Sequence, residues 1–316
     1  MKTTLKFLKY FLLIIVVIIL SFIALNWKND VSVEELKKKY ANAESEFMEI
    51  DEMRVHFRDQ GLATDSLPIV LIHGTGASLH TWEPWVSELK NEHRIITLDL
   101  PAYGLTGPNQ TGDYSQDFYV SFLDNFLSKL NIKRCILGGN SLGGSITWAY
   151  ALEHPEKVSK MILVDAGGYP MVSKSVPIAF QIAKIPVLGN LFKYILPRPI
   201  IEKSLQNVYV HDDRISSELV GRYYDLASRA GNRQAFLDRI KSSFQNAKYL
   251  KIKTLMMPTL IIWGKEDELI PLNVAEKFHK DLPNDTIIIF KDLGHTPMEE
   301  DPIITVEAVK MFLRKE

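Results

Sequence analysis

A serine between glycines is the residue in this chain best placed to act as a nucleophile. Ser141 stands in Gly139-Asn140-Ser141-Leu142-Gly143, after the apolar residues 135–137 and before a stretch of helical pattern, 142–153. This is the G-x-S-x-G pattern, in which the serine occupies a sharp turn between a strand and a helix. Glycine fits two positions before and after the serine because a Cβ there would meet the neighbouring strand and helix. The pattern predicts a hydroxyl at the N-terminus of a helix, where partial positive charge favours a developing anion.

A serine hydroxyl is a weak nucleophile at neutral pH, so a base must take its proton during attack. Ligands of an open parallel sheet bind at the carboxyl ends of its strands. Polar residues that follow apolar runs are therefore the candidates for the partners of this serine. Asp267 follows the run 259–263 and His295 follows the run 286–290. Ser141, Asp267 and His295 therefore occur in the chain order of a known catalytic triad. We predict His295 as the base and later the acid, and Asp267 as the carboxylate that orients the imidazole.

Each of these assignments has an alternative. Asp267 competes with Glu266, Glu268 and Asp165, and Asp165 also directly follows an apolar run. Ser141 would otherwise be a small turn residue, and His295 a loop histidine packed under the last helix.

Alternating strands and helices must position these residues. Two neighbouring segments that alternate apolar and polar residues predict a hairpin, and six short apolar runs separated by helical patterns predict a parallel sheet covered on both faces. The sequence thus predicts an α/β fold with a mostly parallel eight-stranded sheet, whose strands lie near 47–51, 53–58, 69–72, 95–98, 135–137, 161–164, 259–263 and 286–290.

The N-terminus carries eighteen residues without a charge, 10–27, mostly Leu, Ile, Val and Phe. At about 1.5 Å per residue they come close to crossing the ~30 Å hydrocarbon core of a bilayer. A cleaved signal peptide is the alternative, but the run is long for one and no A-x-A-like site follows it. We predict a transmembrane anchor over 1–28. Lys2, Lys6 and Lys9 favour a cytoplasmic N-terminus and an extracytoplasmic catalytic part, whereas the lysines at 37–39 favour the opposite orientation.

The remaining boundaries follow from this pattern. Residues 29–45 are predicted to form a stalk with a short helix, and 46–316 a catalytic domain. About 168–253 lacks a clear strand and contains several prolines, then helical patterns at 217–230 and 233–244. We interpret it as a helical lid inserted after the sixth strand. Between 171 and 203 this lid holds five Lys or Arg and one Glu, a net charge of +4 among many apolar residues.

The chain resembles the α/β-hydrolase family from about Phe47 to the C-terminus, apart from the lid. The resemblance rests on His73-Gly74, a variant of the Asp-x-Pro-Gly-x-Gly turn at 99–104, the serine turn, Trp-Gly-x-x-Asp at 263–267 and Gly294-His295. Ala102 stands where that turn often has glycine, and many relatives lack a membrane anchor. The resemblance implies a Ser141–His295–Asp267 triad. The oxyanion hole would be formed by the backbone N–H groups of Thr75 and Leu142.

These residues favour a membrane-anchored serine hydrolase of lipophilic carboxylic esters. Dehalogenases and epoxide hydrolases of this fold attack with aspartate, so the serine argues against both. Acyl transfer, perhydrolysis and carbon–carbon bond hydrolysis on the same triad stay open, as does a non-catalytic ligand receptor. No metal-ligand cluster or G-x-G-x-x-G motif is apparent, so we predict neither metal nor cofactor. A net charge of −1 predicts no nucleic-acid partner. The predicted partners are a small lipophilic ester and a membrane, contacted by the N-terminal helix and by the lid if its basic, apolar face rests on lipid.

Overall fold

Eight strands form one sheet in the order β1-β2-β4-β3-β5-β6-β7-β8. The computed structural model describes residues 2–242 and 247–315, without the side chains of residues 2, 3 and 5. β1 pairs antiparallel with β2 and β2 with β4, whereas the pairs from β4 through β8 are parallel. The predicted sheet is confirmed, with strands β1 Ser45–Ile50, β2 Met53–Gly61, β3 Ile69–Ile72, β4 Arg94–Leu98, β5 Cys135–Asn140, β6 Val158–Val164, β7 Thr259–Gly264 and β8 Asp285–Phe290.

Helices cover both faces of the sheet, as continuous apolar strands require. One core cluster packs α4, α5 and α11 on one face, and a second packs α3 and α13 on the other. Cys135 is part of the first cluster and is fully buried, which raises the pKa of its thiol to about 12. Outside the lid and the N-terminus, the helices are α3 Glu83–Leu89, α4 Gln116–Lys129, α5 Leu142–Glu153, α11 Asn273–Asp281, α12 Pro297–Glu300 and α13 Pro302–Leu313.

The chain between β6 and β7 contains helices and, within its described residues, no strand. Prolines that interrupt the strand rhythm in the sequence lie at helix starts here: Pro177 and Pro197 cap two helices and Pro186 begins another. Proline suits these positions because the first helical N–H groups have no intrahelical acceptor. The helices are α6 Ile178–Lys184, α7 Pro186–Phe192, α8 Arg198–Gln206, α9 Ser217–Ala227 and α10 Asn232–Lys241. The predicted helix end at Phe244 lies outside the described residues.

The N-terminal segment forms one 25-residue helix, α1 Lys2–Asn26. Its part Lys6–Asn26 is long and apolar enough to cross a membrane, and none of its side chains is buried in the protein. The same features fit a signal sequence. A second short helix follows, α2 Val33–Tyr40. Its Leu36 and Tyr40 are buried against Leu105 and Leu226, so α2 packs on the rest of the protein.

The residues between α1 and α2 are hydrogen-bonded to the first half of the lid. We call 26–31 the junction segment. Lys28 N–H donates to Tyr194 C=O at 2.9 Å, and Leu196 N–H donates to Asn26 C=O at 3.2 Å. The rings of Trp27 and Tyr194 stack with centroids 5.5 Å apart. The end of the apolar helix is therefore held beside the end of α7.

The same segment also contacts the second half of the lid. Val31 N–H donates to Ser228 C=O, and Ala230 N–H donates to Val31 C=O, both at 2.9 Å. The guanidinium of Arg233, on α10, donates to Lys28 C=O and to the Asp30 carboxylate at 2.7 and 2.6 Å. The junction segment thus joins two parts of the lid that are distant in sequence.

Candidate active site

Ser141 lies at the turn between β5 and α5 with a strained backbone. Its φ of 55° is in the left-handed region, which costs energy for a residue with a side chain. The turn is held because Ser141 N–H donates to Val164 C=O, and Gly167 N–H donates to Ser141 C=O, both at 3.0 Å. The hydroxyl-bearing side chain is partly buried and faces a cleft. This is the placement that the G-x-S-x-G pattern predicts.

The two glycines of the pattern leave no room for a side chain. A Cβ on Gly143 would lie 2.1 Å from Ile72 O, and one on Gly139 would lie 2.3 Å from the carbonyl carbon of Gly143. Both contacts are with backbone atoms, which cannot move aside without shifting a strand or a helix. The close approach of α5 to β3 therefore depends on glycine at 143.

We expect Gly143→Ala to lower the free energy of unfolding by about 3 kcal/mol, because the added methyl overpacks a backbone contact. Urea denaturation measures this change. Gly221→Ala is the matched control: it lies inside α9, and its Cβ would meet only Arg198 at 3.8 Å. It should be neutral or stabilising by about 0.5–1 kcal/mol, since alanine favours a helix interior. Equal stability of the two variants would contradict this account of the turn.

His295 and Asp267 form a buried hydrogen-bonded pair. Nδ1 of His295 lies 2.7 Å from Asp267 Oδ2, and both residues are at least 95% buried. The other carboxylate oxygen, Oδ1, accepts the N–H groups of Leu269 and Ile270 at 2.8 and 2.9 Å. These donors fix the carboxylate, so the imidazole carries its Nδ1 proton toward Asp267 and leaves Nε2 free to accept a proton.

Two side chains fix the backbone around His295. Asn140, directly before the serine, donates from Nδ2 to His295 C=O at 2.9 Å. Glu300 accepts Gly294 N–H on one oxygen and the N–H groups of Val210 and His211, in the lid, on the other, all at 2.8 Å. The histidine loop is therefore attached to both the serine turn and the lid.

Ser141 and His295 line the same cleft, but within the described residues no hydrogen bond joins the Ser141 hydroxyl to the imidazole. Hydrogen bonds of this kind are often long in a free enzyme and tighten when substrate binds. The structure thus brings the three predicted side chains to one edge of the sheet, with the histidine–aspartate contact already formed.

The predicted oxyanion donors lie beside the serine. Thr75 lines the cleft, and Leu142 is the first residue of α5, where a backbone N–H has no acceptor within the helix. A Cβ on Gly74 would lie 3.2 Å from the Ser141 Cβ, so the loop of Thr75 contacts the serine turn. Both residues therefore lie next to Ser141, and their role as oxyanion donors stays a prediction.

The other polar residues singled out in the sequence stabilise loops. His73 Nε2 accepts Leu100 N–H at 2.9 Å, and its Nδ1 lies 2.7 Å from Gly74 O. Burial lowers the pKa of His73, so it stays neutral and shapes its turn. Asp99 accepts the N–H groups of Leu79 and Leu105, both at 2.8 Å.

Two further features agree with a structural role for this region. His80 is buried in the short 3-10 helix Leu79–Trp82, and its Nε2 lies 2.9 Å from Tyr40 O. It therefore joins that helix to α2. Ala102, the departure from the usual glycine, has a φ of 85°, so the turn keeps a left-handed conformation without glycine.

The cleft contains about 1010 Å³ of empty space, part of it open to solvent. Residues of the lid form more than half of its wall, with side chains from each of the helices α6 to α10. Apolar side chains predominate among them, including Ala179, Phe180, Phe192, Ile201, Leu205, Leu226 and Phe236. Within the described residues Arg233 is the one Lys or Arg of the lining, and Nη2 of its guanidinium is bound to the junction segment. The cleft is therefore suited to an apolar group.

Sequence reasoning missed Asn140 and Glu300. Asn140 occupies a variable position of the serine pattern, and Glu300 follows His295 by five residues with no pattern of its own. Their hydrogen bonds reach loops distant in sequence, so no local signal could have identified them.

Comparison with known proteins agrees with this fold. The family model described as the alpha/beta hydrolase fold matches residues 68–302. A 2-hydroxy-6-oxononadienedioate/2-hydroxy-6-oxononatrienedioate hydrolase of Burkholderia vietnamiensis is 27% identical over 300 residues, which cover 90% of this chain and 98% of that protein.

Two solved structures are similar over most of their length. A membrane phospholipase A, described as a bacterial virulence factor, has a TM-score of 0.72 and 24% identity, covering 99% of this chain and 98% of its own. A thermophilic esterase of Thermogutta terrifontis has a TM-score of 0.70 and 22% identity, covering 83% and 94%. At these identities the two likenesses show a shared fold.

Proposed function

The chain belongs to the α/β-hydrolase fold family, and from that premise we propose that it is a membrane-anchored serine hydrolase that cleaves lipophilic carboxylic esters through an acyl-enzyme. One observation carries the proposal: Ser141 and His295, which is hydrogen-bonded to the buried Asp267, line an apolar cleft roofed by the lid. Neither a metal nor a cofactor is needed for this chemistry. The similarity to an esterase and a phospholipase agrees with an ester substrate.

The chemistry follows from the roles proposed for the three residues. Ser141 Oγ attacks the ester carbonyl while His295 Nε2 takes its proton, and the N–H groups of Thr75 and Leu142 bind the resulting oxyanion. His295 then gives that proton to the leaving alcohol, and an acyl group remains on Ser141. Water, deprotonated by His295, attacks the acyl-enzyme and releases the acid. Asp267 stabilises the imidazolium in both steps.

The apolar wall of the cleft predicts a preference for longer acyl chains. Burying one CH₂ contributes about 0.8 kcal/mol, or about fourfold in kcat/KM. We expect kcat/KM for p-nitrophenyl esters to rise by up to this factor per methylene from acetate onward, until the cleft is filled. The measurement is a turnover screen from acetate to palmitate, with Ser141→Ala as the blank. The highest kcat/KM for acetate would contradict a lipophilic substrate.

Carbon–carbon bond hydrolysis is the second candidate, favoured by the relative from Burkholderia vietnamiensis. The name of that relative specifies a dianionic dioate substrate. Arg233 is the one Lys or Arg among the described lining residues. Its Nη2 is bound to Asp30 and Lys28, and its Nε and Nη1 have no partner within the described residues, so the lining offers one guanidinium for two carboxylates. An apolar ester suits this cleft better than two carboxylates. Assaying a 2-hydroxy-6-oxo-dienedioate beside the ester series would separate the two candidates.

The junction segment supports the proposed membrane contact. It holds α7 beside the end of α1, and α7 and its neighbours expose Ile185, Val187, Leu188 and Tyr194, with Val187 78% exposed. Phe180 and Phe192, in the same part of the lid, line the cleft. We infer that α7 rests on the bilayer that α1 spans, and that Lys184 and Lys193 contact its anionic headgroups. Substrate would then pass from lipid into the cleft beside α7.

We also propose that the catalytic part lies outside the cytoplasm, because Lys2, Lys6 and Lys9 precede the uncharged run 10–27 of the N-terminal helix. The opposing lysines of α2 are partly neutralised. Lys37 pairs with Glu34 at 2.8 Å and Lys39 with Asp225 at 2.7 Å.

Charging the exposed face of α7 should impair turnover of substrates held in a bilayer. We expect Val187→Glu/Leu188→Glu, in the full-length enzyme in liposomes, to lower kcat/KM for a vesicle-embedded ester by about tenfold or more, since two apolar side chains no longer enter the membrane. Turnover of soluble p-nitrophenyl acetate should not change. The assay compares both substrates at equal enzyme density.

The matched control is Ile303→Glu/Ile304→Glu, which charges two exposed apolar residues of α13. α13 packs against α3, where Trp85 Nε1 donates to Thr305 Oγ1 at 3.0 Å. A similar loss in both double variants, or none in the α7 variant, would disprove contact between α7 and the membrane.

A further inference from the structure

A second buried carboxyl group lies behind the proposed triad acid. Asp165 follows β6 with a φ of 43° and is fully buried. Its Oδ1 accepts Gly264 N–H at 3.0 Å, but its buried Oδ2 has no hydrogen-bond donor within the described residues. One oxygen of the Asp165 carboxyl group, one oxygen of the Asp267 carboxyl group and one ring nitrogen of His295 lie within 4.8 Å of one another.

The donors around the two carboxyl groups are unequally divided. Asp267 accepts two backbone N–H groups and the His295 Nδ1–H, whereas Asp165 accepts one backbone N–H. Two carboxylates this close and this buried cannot both keep their charge, and the one with fewer donors takes the proton. The charge therefore belongs on Asp267.

The remaining surroundings of Asp165 favour the same protonation state. Burial and the adjacent charge of Asp267 raise the pKa of Asp165 well above its ordinary value. Glu300, on α12, adds negative charge, and the Gly264 N–H opposes the shift. If Asp165 is a carboxylic acid, its Oδ2 carries the proton. That oxygen is then a donor toward Asp267 and no longer a buried acceptor without a donor.

We propose that Asp165 is a positioning residue: it stays neutral and donates a hydrogen bond from Oδ2 to Asp267, holding the triad carboxylate against His295. The proposal rests on the function proposed above for the role it gives to Asp267. The donated bond restricts rotation of that carboxylate and withdraws part of its negative charge. Its loss would leave Asp267 a stronger partner for the imidazolium and would stabilise the protonated imidazole.

A metal ion is the competing occupant of such a group of two acids and one histidine. It would have to displace the imidazole from Asp267 Oδ2, since the Oδ1 atom is held by two backbone N–H groups. A neutral Asp165 needs no such rearrangement. The two possibilities differ in the protonation of Asp165, which can be measured directly.

The first test does not depend on activity. In an infrared difference spectrum at pH 7, full-length wild type minus Asp165→Asn should contain the C=O band of a neutral carboxylic acid. Bands of an ionised carboxylate in its place would overturn the proposal, whether Asp165 were a free anion or a metal ligand. This result stands even if the enzyme does not hydrolyse esters.

The second test uses the pH profile of kcat/KM for the best p-nitrophenyl ester. Asp165→Asn keeps an acceptor for Gly264 and a donor for Asp267, so we expect activity within about fivefold of wild type and an unchanged acid limb. Asp165→Ala removes the donor, so kcat should fall by about tenfold and the acid limb should move to higher pH by about one unit. An unchanged acid limb in Asp165→Ala, with thermal stability close to that of Asp165→Asn, would overturn the proposal.

Discussion

Ser141→Ala is expected to abolish covalent labelling by a fluorophosphonate probe and to lower kcat for ester hydrolysis by about 10⁶-fold, the scale on which a serine hydrolase depends on its nucleophile. Alanine removes only the Oγ atom, and the backbone of residue 141 keeps its bonds to Val164 and Gly167. The protein should therefore stay folded, with an unchanged thermal midpoint. Intact mass before and after labelling, with p-nitrophenyl ester turnover, provides the measurement.

Ser145→Ala is the matched control for this substitution. Ser145 lies one helical turn after Ser141 on α5, and its hydroxyl contacts Gln116 Nε2 at 2.9 Å, away from the cleft. It should label and turn over ester like wild type. Labelling of Ser141→Ala at the wild-type rate would mean that another residue is the nucleophile. A wild type that neither labels nor turns over any ester would instead favour a non-catalytic receptor.

The positions of the three proposed catalytic residues could be predicted from sequence because a parallel sheet imposes a simple rule. All carboxyl ends of its parallel strands meet at one edge, so a polar residue after each apolar run points to the same place. Ser141, Asp267 and His295 satisfy that rule, and the elbow glycines follow from the lack of space for a Cβ. The fold and the edge at which its chemistry occurs thus depend on local patterns.

The lid and the junction segment could not be predicted in the same way. Their contacts join residues some 170 to 200 positions apart, such as Lys28 with Tyr194 and Arg233 with Asp30. Two isolated β-bridges, Trp27–Ile195 and Val31–Arg229, join these regions. No alternation of apolar and polar residues surrounds them in the sequence. Polar residues at 29–45 predict a stalk, and Leu36 and Tyr40 of its helix pack on Leu105 and Leu226.

The protonation state of Asp165 likewise could not be predicted from the sequence. In the sequence Asp165 and Asp267 each follow an apolar run, and the Trp-Gly-x-x-Asp resemblance at 263–267 favours Asp267. What the sequence does not show is how many N–H groups surround each carboxyl group in the folded chain, one for Asp165 and three for Asp267. Which of the two carries the charge is therefore a property of tertiary structure.

Asp267→Asn tests that identity and should lower kcat by about 10⁴-fold. The N–H groups of Leu269 and Ile270 require an acceptor, so they will bind the amide oxygen of the new side chain. Its NH₂ group must then face His295 Nδ1. Because a donor there demands an acceptor, the imidazole proton moves to Nε2, and the ring can no longer take the proton of Ser141.

The comparison with Asp165→Asn makes the assignment decisive. Asparagine at 165 accepts from Gly264 and donates toward Asp267, in the same arrangement that a neutral aspartic acid provides, and should stay within about fivefold of wild type. Single-turnover acylation with a p-nitrophenyl ester measures both variants, and thermal unfolding verifies that each is folded. If the rate of acylation fell by about 10⁴-fold in Asp165→Asn and not in Asp267→Asn, Asp165 would be the triad acid. The imidazole would then have to turn toward β6 during catalysis. The three donors already bound to Asp267 make that rotation unfavourable, so we expect the large loss at position 267.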